Sequence, residues 1–144
     1  MTISEAYGIL GSSVWLTKGS MMGVIKRPQT PTHDLGGTRF TSLATPSTGT
    51  TDTSVWQVEI EAGVPAQPHR LTREEVFIVL GGTARVTLAG QLLQADPGDA
   101  IVVPPHADFG IESASDSPLT LLCCLPVGGQ AVVEGSAFTP PWAQ

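Results

Sequence analysis

Hydrophobic and polar residues alternate along much of this chain with a period of two, broken at short intervals by glycine and proline. The clearest stretch covers residues 54–61. There Trp56, Val58 and Ile60 fall on one side, and Val55, Gln57, Glu59 and Glu61 on the other. Such alternation predicts a strand with one buried face. Further strands are predicted over 38–44, 75–80, 83–88, 91–95, 100–103, 109–112 and 119–125. The breaks between them carry turn chemistry: a Thr/Ser/Gly/Pro loop over 45–52, Gly81-Gly82, Ala89-Gly90, Pro97-Gly98-Asp99 and Pro104-Pro105. Ala89-Gly90 joins its two strands as a hairpin. No window of ten residues shows helical spacing with caps. Short strands recurring every 8–12 residues or so predict an all-β sandwich or barrel.

Two segments depart from this rhythm. Residues 1–31 lack periodicity and predict an irregular N-terminal arm, leaving 32–144 as one barrel domain. The tail Phe138-Thr139-Pro140-Pro141-Trp142 is aromatic and stiff, and is expected to fold back onto the body. The run Val76-Phe77-Ile78-Val79-Leu80 is apolar on both faces, which predicts cover on both, most simply by a homodimer.

Composition narrows the function. The chain has 144 residues, 41% hydrophobic and 14% charged, so it can bury a core while carrying few surface charges. A net charge of −6 with seven unclustered Lys and Arg disfavours phosphate backbones and anionic lipid. The expected partner is therefore a small organic molecule, not nucleic acid or a membrane. No apolar run approaches the ~20 residues of a membrane span. The N-terminal residues lack a basic start followed by an apolar stretch, so a cytoplasmic location is expected. Cys123 and Cys124 are adjacent on a predicted strand, point to opposite faces, and read as small hydrophobes rather than a disulfide.

The stretch from Gly63 through His69, Leu71 and Glu75 to Gly82 carries the most information. Its spacing, Gly-x5-His-x-Leu-x3-Glu-x6-Gly, resembles the first signature of the cupin superfamily, with Leu71 where that signature has a second His. The second signature is also traceable. Gly98 and Pro104 fall in register, whereas His106 stands at a Gly, Phe109 at the metal-binding His and Ser113 at an Asn. The resemblance covers roughly residues 38–125 and implies the cupin fold, a double-stranded β-helix or jelly-roll barrel. It also implies a divalent transition metal held by three His and one Glu, of which this chain keeps His69 and Glu75.

Strand parity turns His69, Leu71 and Glu75 toward the barrel interior. Glu74 has the opposite parity. Three expectations follow. In the first, His69 and Glu75, assisted by His106, perform acid–base chemistry such as isomerisation, cyclisation or decarboxylation without a full metal site; no cofactor is then required. Alternatively, they form an inert pair bonded to each other. In the second, His69, Glu75 and His106 hold a divalent transition metal for dioxygenase-like chemistry. In the third, the barrel is a non-catalytic binding or sensor module. In each, Leu71, Phe77, Phe109 and Trp56 shape an apolar pocket. Arg73 and Arg39 are candidates for the pocket mouth, where they would bind a substrate carboxylate. A neutral or weakly acidic ligand suits so apolar an interior.

Overall fold

A computed structural model describes residues 23–144. Most of the predicted N-terminal arm, 1–22, lies outside the described residues, and 23–31 form no strand. The strands are β1 (His33–Asp34), β2 (Thr38–Ala44), β3 (Thr53–Ile60), β4 (Arg70–Leu71), β5 (Glu75–Gly81), β6 (Ala84–Leu88), β7 (Gln91–Ala95), β8 (Ala100–Val103), β9 (Phe109–Ser113), β10 (Leu119–Pro126), β11 (Ala131–Val133) and β12 (Ser136–Phe138). Single 3-10 turns at Pro46–Thr48 and Pro141–Ala143 are the only helical elements among the described residues. No helix there is long and apolar enough to cross a membrane.

One layer is the antiparallel sheet β1-β2-β3-β10-β5-β8. The opposing layer begins as two separate ribbons, β12-β11-β4 and β7-β6-β9. They are stitched by a bridge between His69 and Phe109, whose backbones exchange two hydrogen bonds of 2.9 and 3.0 Å. With this bridge the order across the second layer is β12-β11-β4-β9-β6-β7. The two layers face each other as an all-β barrel, as the resemblance implies.

The period of two fixes which side chains go inside. In β10, Leu119, Leu121, Cys123 and Leu125 are buried, while Thr120, Leu122, Cys124 and Pro126 are only half-buried. In β3 the buried set is Ser54, Trp56, Val58 and Ile60. Val79, Ala84, Val86, Ile101, Val103 and Leu119 pack one region of the interior solidly. The outer face of the large sheet is apolar as well. Pairing aligns Val55, Cys124, Val76 and Val102 in one row, and Leu122, Ile78 and Ala100 in the next. These rows are why β5 is hydrophobic on both sides.

Four strands escape sequence reading: β1, β4, β11 and β12 have two or three residues each, too few to show an alternation. The tail beyond β12 lies across the mouths of β2 and β3. Ser42 donates to the Trp142 carbonyl at 2.8 Å, Ser47 to that of Gln144 at 2.8 Å, and buried Ser54 to that of Ala143 at 2.7 Å. The Trp142 indole stacks on Phe40, with ring centroids 3.7 Å apart and planes 9° from parallel.

Gly82, which ends the first signature, occupies a place no other residue fits. Its φ is +75°, and a Cβ there would sit 2.4 Å from the Pro118 carbonyl oxygen. Gly82→Ala is therefore expected to destabilise the fold by about 2 kcal/mol or more, measured by chemical denaturation, through backbone strain and that collision.

Candidate active site

The rest of the interior is a cavity of about 430 Å³, within the ~300–1,000 Å³ usual for small-molecule sites. β3 contributes Trp56, Val58 and Ile60, and β10 contributes Leu121, Cys123 and Leu125. Glu75 and Phe77 come from β5, Leu71 from β4, Phe109 and Ile111 from β9. Phe40, Phe138 and Trp142 add aromatic surface to the wall. Five of the expected site residues thus converge with His69 on one cavity: Glu75, Leu71, Phe77, Phe109 and Trp56.

Glu75 is the first residue of β5 and is 4% exposed. No hydrogen bond or cation reaches its carboxyl among the described residues. Burial without a compensating partner disfavours the charged form and raises its pKa from 4.5 to about 8. At neutral pH this side chain is therefore a carboxylic acid, able to donate a proton or a hydrogen bond. Cys123 shares the cavity. Its buried thiol is held well above the ordinary value, first by desolvation and then by the Glu75 charge, so it stays protonated.

His69 lies just before β4 and is half-buried. Its Nδ1 is 2.8 Å from the Gln67 carbonyl oxygen. A carbonyl only accepts, so Nδ1 carries the hydrogen and Nε2 keeps its lone pair. Desolvation lowers the imidazole pKa below 6.5, and the bond to Gln67 only partly opposes it. The ring sits 4.1 Å from that of Phe109, tilted by 49°. His69 and Glu75 do not bond each other, contrary to the inert-pair expectation. The Gln67 carbonyl takes the His69 N–H, and Glu75 is left without a partner.

Other expectations are corrected by the geometry. His106 does not turn inward. It is exposed on the turn after β8 with φ +66°, its backbone N–H bonded to the Leu71 carbonyl, and it does not line the cavity. It stands where the cupin signature has Gly because this turn needs a left-handed residue. Arg73 is likewise exposed and away from the cavity. Arg39 is held on the outer face by Glu59 and by Glu61, the latter at 2.8 Å. Gln57 also faces outward, accepting from Arg27 at 2.5 Å.

The donor set does not fit the metal that the cupin signature implies. Only His69 and Glu75 remain of four ligands, fewer than the three protein ligands a catalytic site usually keeps. Leu71 and the Phe109 ring, which lies against His69, occupy the positions of the other two. Among the described residues, no group of three or more His, Cys, Asp or Glu is placed to hold a metal ion.

Sequence reading missed Phe40, Trp142 and the Gln67 carbonyl. Only Cys123 gave a usable signal, through the inward parity it shares with Leu121 and Leu125.

Two measurements test this geometry. The folded protein keeps the Glu75 proton up to pH about 8, while the unfolded chain releases it above 4.5. Raising the pH through that window therefore favours unfolding, by about 1.4 kcal/mol per unit at most. The thermal midpoint of Glu75→Gln should match wild type near pH 4.5 and exceed it by several degrees above pH 8. His106→Gly should raise unfolding free energy by up to about 1 kcal/mol by relieving the left-handed backbone.

Comparison with known proteins agrees with the architecture. The family model described as Cupin domain matches residues 56–125. An uncharacterized protein of Methanocaldococcus jannaschii is 36% identical over 53 residues, which is 37% of this chain and 42% of that protein's length. A RmlC-like cupin from Shewanella frigidimarina superposes with a TM-score of 0.59 at 22% identity, covering 68% of this chain and 84% of its own. The polyketide cyclase RemF from Streptomyces resistomycificus superposes with a TM-score of 0.60 at 20% identity, covering 81% of this chain and 77% of its own. At such identities the superpositions speak for the fold alone, and together with the domain match and the barrel they make this chain a member of the cupin superfamily.

Proposed function

We propose that this cupin is an acid–base enzyme that moves a proton on a small organic molecule inside the barrel, without the superfamily's full metal site. One observation carries the reading. A single apolar cavity holds an unpartnered carboxylic acid and an imidazole whose tautomer is fixed with Nε2 free. Environments that push two titratable groups apart in this way suit a general acid and a general base acting near neutral pH.

The chemistry follows from the two groups. His69 Nε2 removes a proton from the carbon next to a substrate carbonyl, while the Glu75 carboxyl donates to that carbonyl's oxygen. The electron pair of the broken C–H bond becomes the C=C of an enol. The imidazolium formed at His69 is supported by the Gln67 carbonyl on Nδ1. Where the substrate has a conjugable β,γ double bond, the imidazolium returns the proton to the γ carbon while the Glu75 carboxylate takes the enol O–H proton and the carbonyl re-forms, which is isomerisation. Where it has a second carbonyl, the enol carbon attacks that carbon, the C=O π pair goes to its oxygen and is protonated by the imidazolium, and Glu75 recovers its proton from the enol oxygen, which is cyclisation. The apolar wall excludes water and strengthens both hydrogen bonds. RemF's description as a polyketide cyclase is consistent with such chemistry on this fold.

Simple ketones suffice to test the reaction. A panel of aryl methyl ketones is incubated with enzyme in D2O, and loss of the α-proton signal is followed by NMR. Exchange above the buffer rate is expected. It should fall at least about 100-fold in His69→Ala and only partly in Glu75→Gln, which keeps a donor. The rate should also drop above pH about 8 as Glu75 ionises, and in acid as His69 takes up a proton. Full exchange in His69→Ala would overturn the reading.

A further inference from the structure

The make-up of the cavity wall selects among ligands independently of any proton transfer. Among the described residues, no Lys, Arg or Asp lines it. Three arginines elsewhere on the barrel are engaged with carboxylates outside: Arg39 with Glu59 and Glu61, Arg70 with Asp108 at 2.6 and 3.1 Å, and Arg85 with Glu112 at 3.1 Å. Arg27 bonds Gln57, and Arg73 is exposed away from the cavity. An anion entering this space would lose its water and meet no countercharge, an arrangement that costs several kcal/mol. Glu75, already inside, would repel it whenever ionised.

The apolar surface has its own shape. Phe40 and Trp142 form a flat stacked wall, and Phe77 meets Phe109 at 5.9 Å with planes tilted by 56°. Two further lining residues, Leu35 and Phe138, are 59% and 40% exposed. Large apolar side chains that line a cavity and also face solvent form its rim, and a rim of this kind is suited to an apolar body reaching outward.

We propose that the cavity recognises an uncharged carbonyl compound with a flat, largely apolar body, and discriminates against the corresponding carboxylate. The carbonyl sits at Glu75 and His69, the ring lies along the aromatic wall, and the outer part of the body rests on Leu35 and Phe138. This assignment rests on the cavity being the active site proposed above, but it concerns recognition and not turnover.

Two probes of matched shape decide it: 2-acetylnaphthalene, a neutral ketone, and 2-naphthoate, its carboxylate counterpart. Binding to the full chain at neutral pH is followed by calorimetry. The ketone should bind saturably with a Kd at least about tenfold below that of naphthoate. Phe138→Ala, a half-exposed rim position, should weaken ketone binding several-fold. Glu75→Gln, which keeps a donor of the same shape, should largely retain it, and Glu75→Leu should lose it. Equal or tighter binding of naphthoate would overturn the assignment, as would failure of both probes to bind, or ketone binding unchanged in both Phe138→Ala and Glu75→Leu. Ketone binding without α-proton exchange would leave the assignment standing and overturn the proton-transfer reading. Exchange with naphthoate bound equally well would do the reverse.

Discussion

The barrel depends on the two backbone hydrogen bonds between His69 and Phe109. They join two three-stranded ribbons, neither wide enough to cover the large sheet alone, and the Arg70–Asp108 pair and the Ala66 N–H bond to the Glu112 carboxylate support the same seam. With them the second layer becomes a continuous wall. The same bridge sets the chemistry, because the paired residues bring an imidazole and a phenyl ring together at the cavity surface. In the cupin signature both positions are histidines. Here one has become a hydrophobic wall that fills the space a third ligand would need, while the other keeps its hydrogen-bonding role. Architecture and reactivity are thus fixed at one point in the chain.

Glu75 shows what the fold tolerates for the sake of that point. A carboxyl buried beside Phe77 and Cys123, with no partner among the described residues, is a poor choice for stability, since a leucine of similar volume would cost nothing to desolvate. The neighbouring positions show that the barrel readily accepts apolar residues facing this cavity, as Leu71 and Leu125 do. That one acid remains among them sets it apart from its surroundings. The imidazole differs in kind. It is held by the chain itself, through the Gln67 carbonyl two residues earlier, so its orientation does not depend on a ligand.

Much of this is legible in the sequence, and the reasons are specific. β3, β5 and β10 have seven or eight residues each, long enough to declare their existence, but only β3 alternates cleanly enough to declare its facing as well. The inward direction of His69, Leu71 and Glu75 follows from spacing of two and six along that alternation. The orientation of His106 does not, because it belongs to a turn, where parity has no meaning and φ +66° decides where the ring goes. Arg39 eludes sequence reading for a different reason. Its partners Glu59 and Glu61 lie some twenty residues away, on a neighbouring strand and just beyond its end, and only the register of β2 against β3 brings them together. The bond from His69 to Gln67 is short in sequence but leaves no pattern, since any residue supplies a carbonyl.

The tail that roofs the cavity has a consequence for how evenly the barrel is held together. Its three serine contacts join residues 89 to 100 positions apart, and the Phe40–Trp142 stack spans a similar separation. Contacts so distant in sequence close large loops, and their entropy must be met before they return anything. Hairpins such as β6-β7 form from neighbours only a few residues apart. The roof over the cavity is therefore the part of the barrel that carries the largest loop-closure cost for the fewest contacts, and the part least supported by its own neighbours in the chain.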